Sequence, residues 1–187
     1  MDESRLRVRD EEPLRRRRLA VLFRALIFVP QYIVLSIWSL VALILFPFAW
    51  LVVLLLGRLP GWMHRFLAAF VRYSGQVSAW AHLLSGRYPD PLRTGEHPFA
   101  IDVPERLRQR RLFTLLRFIL ALPAIALTVA FRVVLGSSAI PAWFIAVVRG
   151  RTTAGLQELG TFCLRYELET TAYILLLTPR YPRLARE

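Results

Sequence analysis

Lysine is missing from this sequence. All 25 basic residues are arginine, against 13 acidic residues, and the net charge is +12. A single cysteine, Cys163, excludes an intramolecular disulfide and a cysteine-cluster metal site. Charge is also scarce, because 20% of the residues are charged and 56% are hydrophobic. An average soluble domain is about a quarter charged, so the composition departs from that of a soluble protein.

The apolar residues are concentrated in long runs. The first run, residues 25–56, contains no charged residue. A basic chain attracts nucleic-acid phosphates, but a soluble nucleic-acid binder has no use for such a run. The pattern therefore predicts a membrane protein with cationic flanks and no nucleic-acid partner. We expect no cleavable signal peptide, because the first residues mix acidic and basic types and the run is too long.

An internal repeat organises the chain. Shifting the sequence by 93 positions aligns residues 19–89 with 112–182 without a gap, with 17 identities in 71 positions. The repeat predicts two units, residues 1–95 and 96–187, joined by a polar segment at 90–104. The identities include rarer residue types in register: Pro30 with Pro123, Trp50 with Trp143, Gly57-Arg58 with Gly150-Arg151, Arg72-Tyr73 with Arg165-Tyr166, and Arg87-Tyr88-Pro89 with Arg180-Tyr181-Pro182.

Each apolar run is long for a single crossing. As one helix, residues 25–56 would extend about 48 Å, whereas the hydrocarbon core is about 30 Å thick. We therefore predict a helical hairpin in each unit, at about 19–57 and 112–149, that crosses the bilayer or is partly re-entrant. The turns are predicted where turn-forming residues interrupt the runs, at Gly136-Ser137-Ser138 and Pro141 with Arg132 at the tip, and around residues 39–47.

The arginines form three groups along the chain. Residues 1–24 hold eight, residues 57–111 hold nine and residues 149–187 hold six. One crossing per unit would put the middle group on the side opposite the others, against the positive-inside bias. Two crossings per unit put all three groups on one side. The distribution therefore predicts that both termini are cytoplasmic.

The segment after each predicted hairpin has helical periodicity. Apolar residues recur every three or four positions from Trp62 to Leu84, which predicts amphipathic helices at about 62–85 and 153–177. These helices carry too many polar residues for ordinary spans. We expect them to lie in the membrane interface, or alternatively to pack on the hairpins, and to end at the Tyr-Pro pairs. The predicted fold class is an all-α integral membrane protein with two tandem repeats.

The ordered features of each unit resemble the bacterial membrane family called domain of unknown function 4389. The resemblance covers residues 19–89 and 98–182, and it departs at Trp80-Ala81-His82 and Thr152-Thr153. It implies a protein of the bacterial cytoplasmic membrane and transfers no catalytic residue. The features that carry the resemblance are Phe23-Arg24 and Leu116-Arg117, Ala49-Trp50 and Ala142-Trp143, the Gly-Arg pairs, and the closing Arg-Tyr-Pro. The stretch that resembles the family most closely is residues 172–182.

Two sets of duplicated residues are candidates for function or structure. Arginine suits phosphate, so the first set is hypothesised to bind anionic lipid headgroups; the alternative is a topology signal with snorkelling side chains. The second set, the ends of the units, is predicted to pin each amphipathic helix to its hairpin. The first set is Arg24, Arg58, Arg72, Arg117, Arg151 and Arg165, and the second is Arg87, Tyr88, Pro89, Arg180, Tyr181 and Pro182.

No catalytic, metal-binding or cofactor-binding arrangement is recognisable, so we expect no enzyme activity, no cofactor and no metal. The prediction is a non-enzymatic scaffold, accessory subunit or anionic-lipid-binding module, whose partners are the bilayer and a second copy or another membrane protein. Two alternatives stay open. The first is an oligomeric transporter or channel lined by polar residues of the runs, and the second is a lipid-modifying enzyme that uses His64 or Glu158. The lining candidates are Gln31, Ser39, Thr128 and Arg132.

Overall fold

The computed structural model describes residues 24–91, 103, 111–149, 154–182 and 184. Within these ranges the chain forms four helices and no strand, which confirms the all-helical class. Each unit consists of one long apolar helix followed by a helix of 21 residues. The helices are α1 (Arg24–Leu56), α2 (Gly61–Ala81), α3 (Arg111–Arg149) and α4 (Ala154–Ile174).

The two long helices are unbroken. Helix α1 has 33 residues and α3 has 39, and both pass through the predicted turn regions at 39–47 and 132–141 without interruption. The prediction of a hairpin inside each apolar run is therefore wrong. A long helix satisfies every backbone group of the run internally, and a turn would have exposed several of these groups in the middle of an apolar segment.

The turn-forming residues of the second unit are accommodated inside α3. The hydroxyls of Ser137 and Ser138 donate to backbone carbonyls three residues earlier, at 3.0 and 2.9 Å, so each polar side chain is satisfied by its own helix. Pro141 lies in the last third of the helix, and Pro47 has a similar place in α1. Apolar helices tolerate such prolines, which is why these residues did not mark a turn.

A hairpin forms in each unit between the long helix and the shorter helix that follows it. The Gln31 amide donates to the carbonyl of Pro89 at 3.3 Å, and the Arg117 guanidinium donates to the carbonyl of Thr178. Gln31 and Arg117 lie near the beginnings of α1 and α3, whereas Pro89 and Thr178 follow α2 and α4. Each unit therefore begins and ends at the same end of its long helix.

The long helices keep most of their apolar surface outside the protein core. In the most apolar 18-residue stretches within Ile27–Leu56 and Thr114–Ile145, only 17% and 22% of the residues are buried. The side chains of Leu43 and Ile140 are 68% and 73% exposed. A core helix of a soluble protein would bury most of such a surface. Both helices are long and apolar enough to cross a membrane.

The shorter helices are amphipathic and place their apolar faces against the rest of the protein. Within α2 the buried side chains include Leu67, Val71 and Val77, whereas Trp62 at its start is 56% exposed. Helix α4 is buried along one side at Cys163, Leu164, Leu168 and Ala172. The helices predicted at 62–85 and 153–177 are thus present, and their apolar faces contact protein.

Both shorter helices end in the same left-handed cap rather than at the Tyr-Pro pairs. Leu83 and Leu176, which are 93 positions apart, have φ angles of 62° and 63°. The residue after each leucine donates its N–H to the carbonyl five residues earlier, as in the common glycine-terminated cap. A non-glycine residue in this conformation costs about 1–2 kcal/mol, which the burial of the two leucines, at 3% and 1% exposure, offsets.

The two units share one hydrophobic core. Its members come from both copies and include Ala49 and Leu67 as well as Leu164 and Leu176. One contact between the units lies where the end of the first meets α4. A Cβ atom built on Gly160 would lie 2.6 Å from a methyl carbon of Leu84, so a larger residue here would require the Leu84 side chain to move.

Candidate functional site

A buried tyrosine joins the two helices of each unit. Tyr73 and Tyr166, the second residues of the repeated Arg-Tyr pairs, are 0% and 2% exposed. Each ring contacts an aromatic ring of the long helix, Tyr73 with Trp38 at 5.3 Å and Tyr166 with Phe131 at 5.1 Å between centroids. Such pairs stabilise by about 0.5–1.5 kcal/mol beyond burial. The sequence signal for this contact is the alignment of Trp38 with Phe131, which keeps an aromatic residue in both copies.

Gln31 is the polar centre of the first unit. Its side chain is 6% exposed; one amide oxygen accepts from the Tyr73 hydroxyl, and the amide nitrogen donates to the Pro89 carbonyl. The Gln76 side chain, also buried, accepts the N–H of Asp90 at 3.2 Å. Gln31 was a candidate for lining a conducting path, but the structure places it in an internal network.

Arg117 makes the corresponding contact with the end of the second unit, although it does not align with Gln31. Its guanidinium lies 4.2 Å from the centre of the Tyr173 ring and donates to the Thr178 carbonyl. The residue is 5% exposed, so a lipid headgroup cannot reach it in this arrangement. Arg117 was one of the six candidate headgroup ligands, and the structure assigns its guanidinium to the end of its own unit.

The Arg-Tyr-Pro ends have matching contacts in the two copies. Tyr88 meets the ring of Trp80 edge to face at 5.7 Å, and Tyr181 meets that of Tyr173 at 5.6 Å. The backbone N–H of the arginine in each motif donates to a hydroxyl two residues earlier, at 3.3 Å in both. The proline of each motif is buried and the arginine is exposed. These contacts join each motif to its own shorter helix, and the bond from Gln31 to the Pro89 carbonyl joins the first motif to the long helix α1.

The remaining candidate arginines are not brought together. Arg58 is exposed after α1, and Arg72 is half-buried on α2. Arg165 lies 3.5 Å from Glu169, one turn later on α4. The side chain of Arg24, which begins α1, lies outside the described residues, as does all of Arg151.

The continuous helix also separates two arginines that the hairpin would have placed side by side. Arg24 and Arg58 lie at opposite ends of α1, about 50 Å apart at 1.5 Å per residue. The expectation that all six arginines lie near one interface depended on the hairpin and does not hold for this pair.

Arg132 forms an ion pair with Glu167. Its Nε and Nη2 atoms lie 2.8 and 2.7 Å from the same carboxylate oxygen. The Arg132 side chain is 62% exposed and that of Glu167 is 15% exposed. Arg132 lies near the middle of α3, not at the tip of a hairpin as predicted. The contact was missed because the two residues are 35 positions apart and the aligned positions in the first unit are Ser39 and Ser74.

The residues of the enzymatic alternative lie on the two shorter helices. His64 is half-buried on α2 and Glu158 is exposed on α4. Within the part of the chain that the structure describes, no group of three or more metal-ligating side chains lies together. Cys163 is buried in α4.

Two copies of one unit, each a long apolar helix with an amphipathic helix folded back along it, define a tandem-repeat helical protein. The chain belongs to the family described as Domain of unknown function (DUF4389), whose model matches it twice, at residues 18–93 and 111–185. The two matches confirm the internal repeat. No curated protein and no solved structure matches the chain.

Proposed function

We propose that this chain is a non-enzymatic module of the bacterial cytoplasmic membrane, a scaffold or accessory subunit that binds anionic lipid. The observation that carries the proposal is the outward apolar surface of α1 and α3, with only 17% and 22% of residues buried in their most apolar 18-residue stretches. Moving a large aliphatic side chain from water into lipid is favourable by about 1.5–3 kcal/mol. Two such surfaces favour the bilayer strongly.

The return of each shorter helix to the beginning of its unit supports two cytoplasmic termini. If α1 and α3 cross, the segments that precede and follow each unit lie on the same side. These segments are arginine-rich, with seven arginines in residues 1–23, five in 82–110 and three in 175–187. The opposite connections, 57–60 and 150–153, hold one arginine each. This asymmetry is the positive-inside pattern.

Pairing of charges supports the position of α4 beside α3 within the membrane. Intramembrane charges are normally paired and face the protein. Glu167 is joined to Arg132, and Arg165 to Glu169, with side-chain exposures of 15–25% for the three residues on α4. The same logic applies to Gln31 and Gln76 in the first unit, whose polar atoms are bonded within the protein.

Labelling of single cysteines in intact cells tests this proposal. In a Cys163→Ser background we expect a membrane-impermeant maleimide to label Arg58→Cys from outside, and to label Ser4→Cys, His97→Cys and Glu187→Cys only after lysis. Labelling of His97→Cys from outside would overturn the topology. Recovery of the chain in the soluble fraction without detergent would overturn the membrane assignment itself.

The lipid-binding part of the proposal rests on the exposed side chain of Arg58 and the half-buried side chain of Arg72. We retain Arg24, Arg58, Arg72 and Arg151 as headgroup ligands. The purified protein should bind phosphatidylglycerol in nanodiscs more tightly than it binds a free phosphate anion such as glycerol phosphate. Its affinity for the phosphatidylglycerol nanodiscs should fall as the salt concentration rises. Arg58→Gln is expected to lower the number of phosphatidylglycerol molecules that co-purify, whereas Arg180→Gln, an exposed arginine outside the set, serves as the matched control. If both variants lost the same number of phosphatidylglycerol molecules, the lipid would be responding to net charge and Arg58 would not be a specific headgroup ligand.

A further inference from the structure

The Arg132–Glu167 pair is a local exception on an otherwise apolar surface. Between Arg117 and Arg149, Arg132 is the only charged residue of α3, and its neighbours on the outer side are strongly exposed apolar residues. Val133 is 68% exposed and Ile140 is 73% exposed. We call this surface, formed by Val129, Arg132, Val133, Gly136 and Ile140, the Arg132 face.

The guanidinium of Arg132 has more donors than its partner uses. It carries five N–H groups, and two of them go to one oxygen of Glu167. Within the described residues Glu167 is its partner, yet the side chain is 62% exposed. In hydrocarbon an arginine at mid-helix depth is unfavourable, so a protein surface that supplies acceptors is favoured over lipid at this position.

In the first unit, the aligned face carries neither a charged residue nor a glycine. The positions aligned with Arg132 and Gly136 are Ser39 and Leu43, and Leu43 is 68% exposed. In the second unit Gly136 leaves open space, since a Cβ built there would meet no atom within 4 Å. A glycine on an exposed apolar helix allows the backbone of a second helix to approach closely. The second unit thus differs from its copy in both charge and contour at one spot.

We infer that a second copy of this chain docks on the Arg132 face, so that the Arg132–Glu167 pairs of the two copies meet. This inference rests on the proposed function, because it takes the bilayer as the surrounding solvent. Two copies inserted in the same orientation are related by a two-fold axis along the bilayer normal, and equivalent residues then lie at equal depth. The free N–H groups of each Arg132 meet the second carboxylate oxygen of the other copy's Glu167. The four charges alternate in sign around the axis.

Disulfide trapping in native membranes tests the docking. In the Cys163→Ser background, Gly136→Cys is expected to form a cross-linked dimer on oxidation with copper phenanthroline. Leu43→Cys, at the aligned position of the first unit and equally exposed to lipid, is the matched control and should cross-link about tenfold less, which corresponds to about 1.4 kcal/mol. Equal cross-linking at both positions, or labelling of Gly136→Cys by a lipid-soluble maleimide without any dimer, would overturn the inference.

A charge-exchange experiment separates contacts between copies from contacts within one copy. Arg132→Glu and Glu167→Arg, each expressed alone with Gly136→Cys, carry two like charges per chain and should lose the dimer about tenfold. Expressed together as chains of different length, one variant supplies two carboxylates and the other two guanidinia, so the mixed dimer should return. Because neither chain regains its internal pair, recovery cannot come from restored folding. A mixture that stays monomeric overturns the docking.

The same samples distinguish this inference from the proposed function. Membrane and soluble fractions are separated before oxidation, and the chain is quantified in each. Chain in the soluble fraction would overturn the membrane assignment, whereas membrane-bound chain that does not cross-link at Gly136→Cys would overturn only the docking on the Arg132 face.

Discussion

At the scale of single residues, the polar groups inside each unit decide how its helices are joined. Gln31 and Arg117 occupy different aligned positions, yet both bond to a backbone carbonyl at the end of their own unit. The two copies therefore join the long helix to the end of the unit with different side chains. Sequence comparison of the copies could not reveal this, because it highlights identities and the two bonding residues do not align.

The Gln31 network predicts a measurable loss of stability. Gln31→Leu would leave the fully buried Tyr73 hydroxyl and the Pro89 carbonyl without their partner, which costs about 1–3 kcal/mol. We expect the free energy of unfolding in detergent to fall by that amount. Tyr73→Phe added to Gln31→Leu should then cost less than the sum of the single changes. Additive losses would show that the two side chains do not interact.

Arg117 provides a second prediction at this scale. Arg117→Ala removes the contact with the Tyr173 ring and leaves the Thr178 carbonyl unpaired, for an expected loss of about 2–4 kcal/mol. Arg65→Ala removes the same charge from an exposed position on α2 and should change stability by less than about 0.5 kcal/mol. Thermal melts of the two variants in one detergent would compare them. If Arg117→Ala melts with the wild type, the buried role of Arg117 is wrong.

At the scale of helices, the sequence predicted where helices form better than it predicted where they end. Run length and three-to-four periodicity predicted helices in all four places, and the repeat located them. The predicted turn at Gly136-Ser137-Ser138 was wrong because serine hydroxyls can bond to their own helix and apolar surroundings favour continuous backbone bonding. The left-handed cap at Leu83, just after α2, was also missed, because a leucine in that conformation carries no signal in sequence.

Helix α4 offers a matched pair of glycines for testing the contact between units. Gly160→Val would force a side chain against Leu84, and overpacking of this kind costs about 1–3 kcal/mol. Gly155→Val places the same side chain where no atom lies within 4 Å, so it should be neutral or slightly stabilising. Denaturant titration would measure both. Leu84→Ala should partly rescue Gly160→Val, and failure to do so would place the strain elsewhere.

At the scale of the whole molecule, the position of charge along α1 distinguishes lipid from water as the surrounding medium. Leu43 and Leu56 are 68% and 67% exposed, so water would accept an arginine equally at either site. In a bilayer, Leu43→Arg lies at mid-depth and should cost about 2.5–3.5 kcal/mol of insertion. Leu56→Arg lies at the helix end, where the side chain can reach the interface.

The inserted fraction of each variant in membrane vesicles would report this difference. We expect Leu43→Arg to lower insertion strongly and Leu56→Arg to insert like the wild type. Equal behaviour of the two variants, with both chains soluble, would contradict the membrane assignment. The pair controls for residue type, exposure and net charge, and only depth differs.

If α3 crosses a membrane as proposed, its unbroken length determines which bilayer thickness suits the protein. Its apolar segment of 32 residues extends about 48 Å, against a hydrocarbon thickness of about 30 Å. A straight helix of this length would have to tilt by about 50° from the bilayer normal to fit within such a hydrocarbon layer, beyond the usual range of 0–40°. Longer acyl chains would thicken the hydrocarbon layer and reduce the tilt that α3 needs. The protein is therefore expected to be enriched in the thickest bilayers.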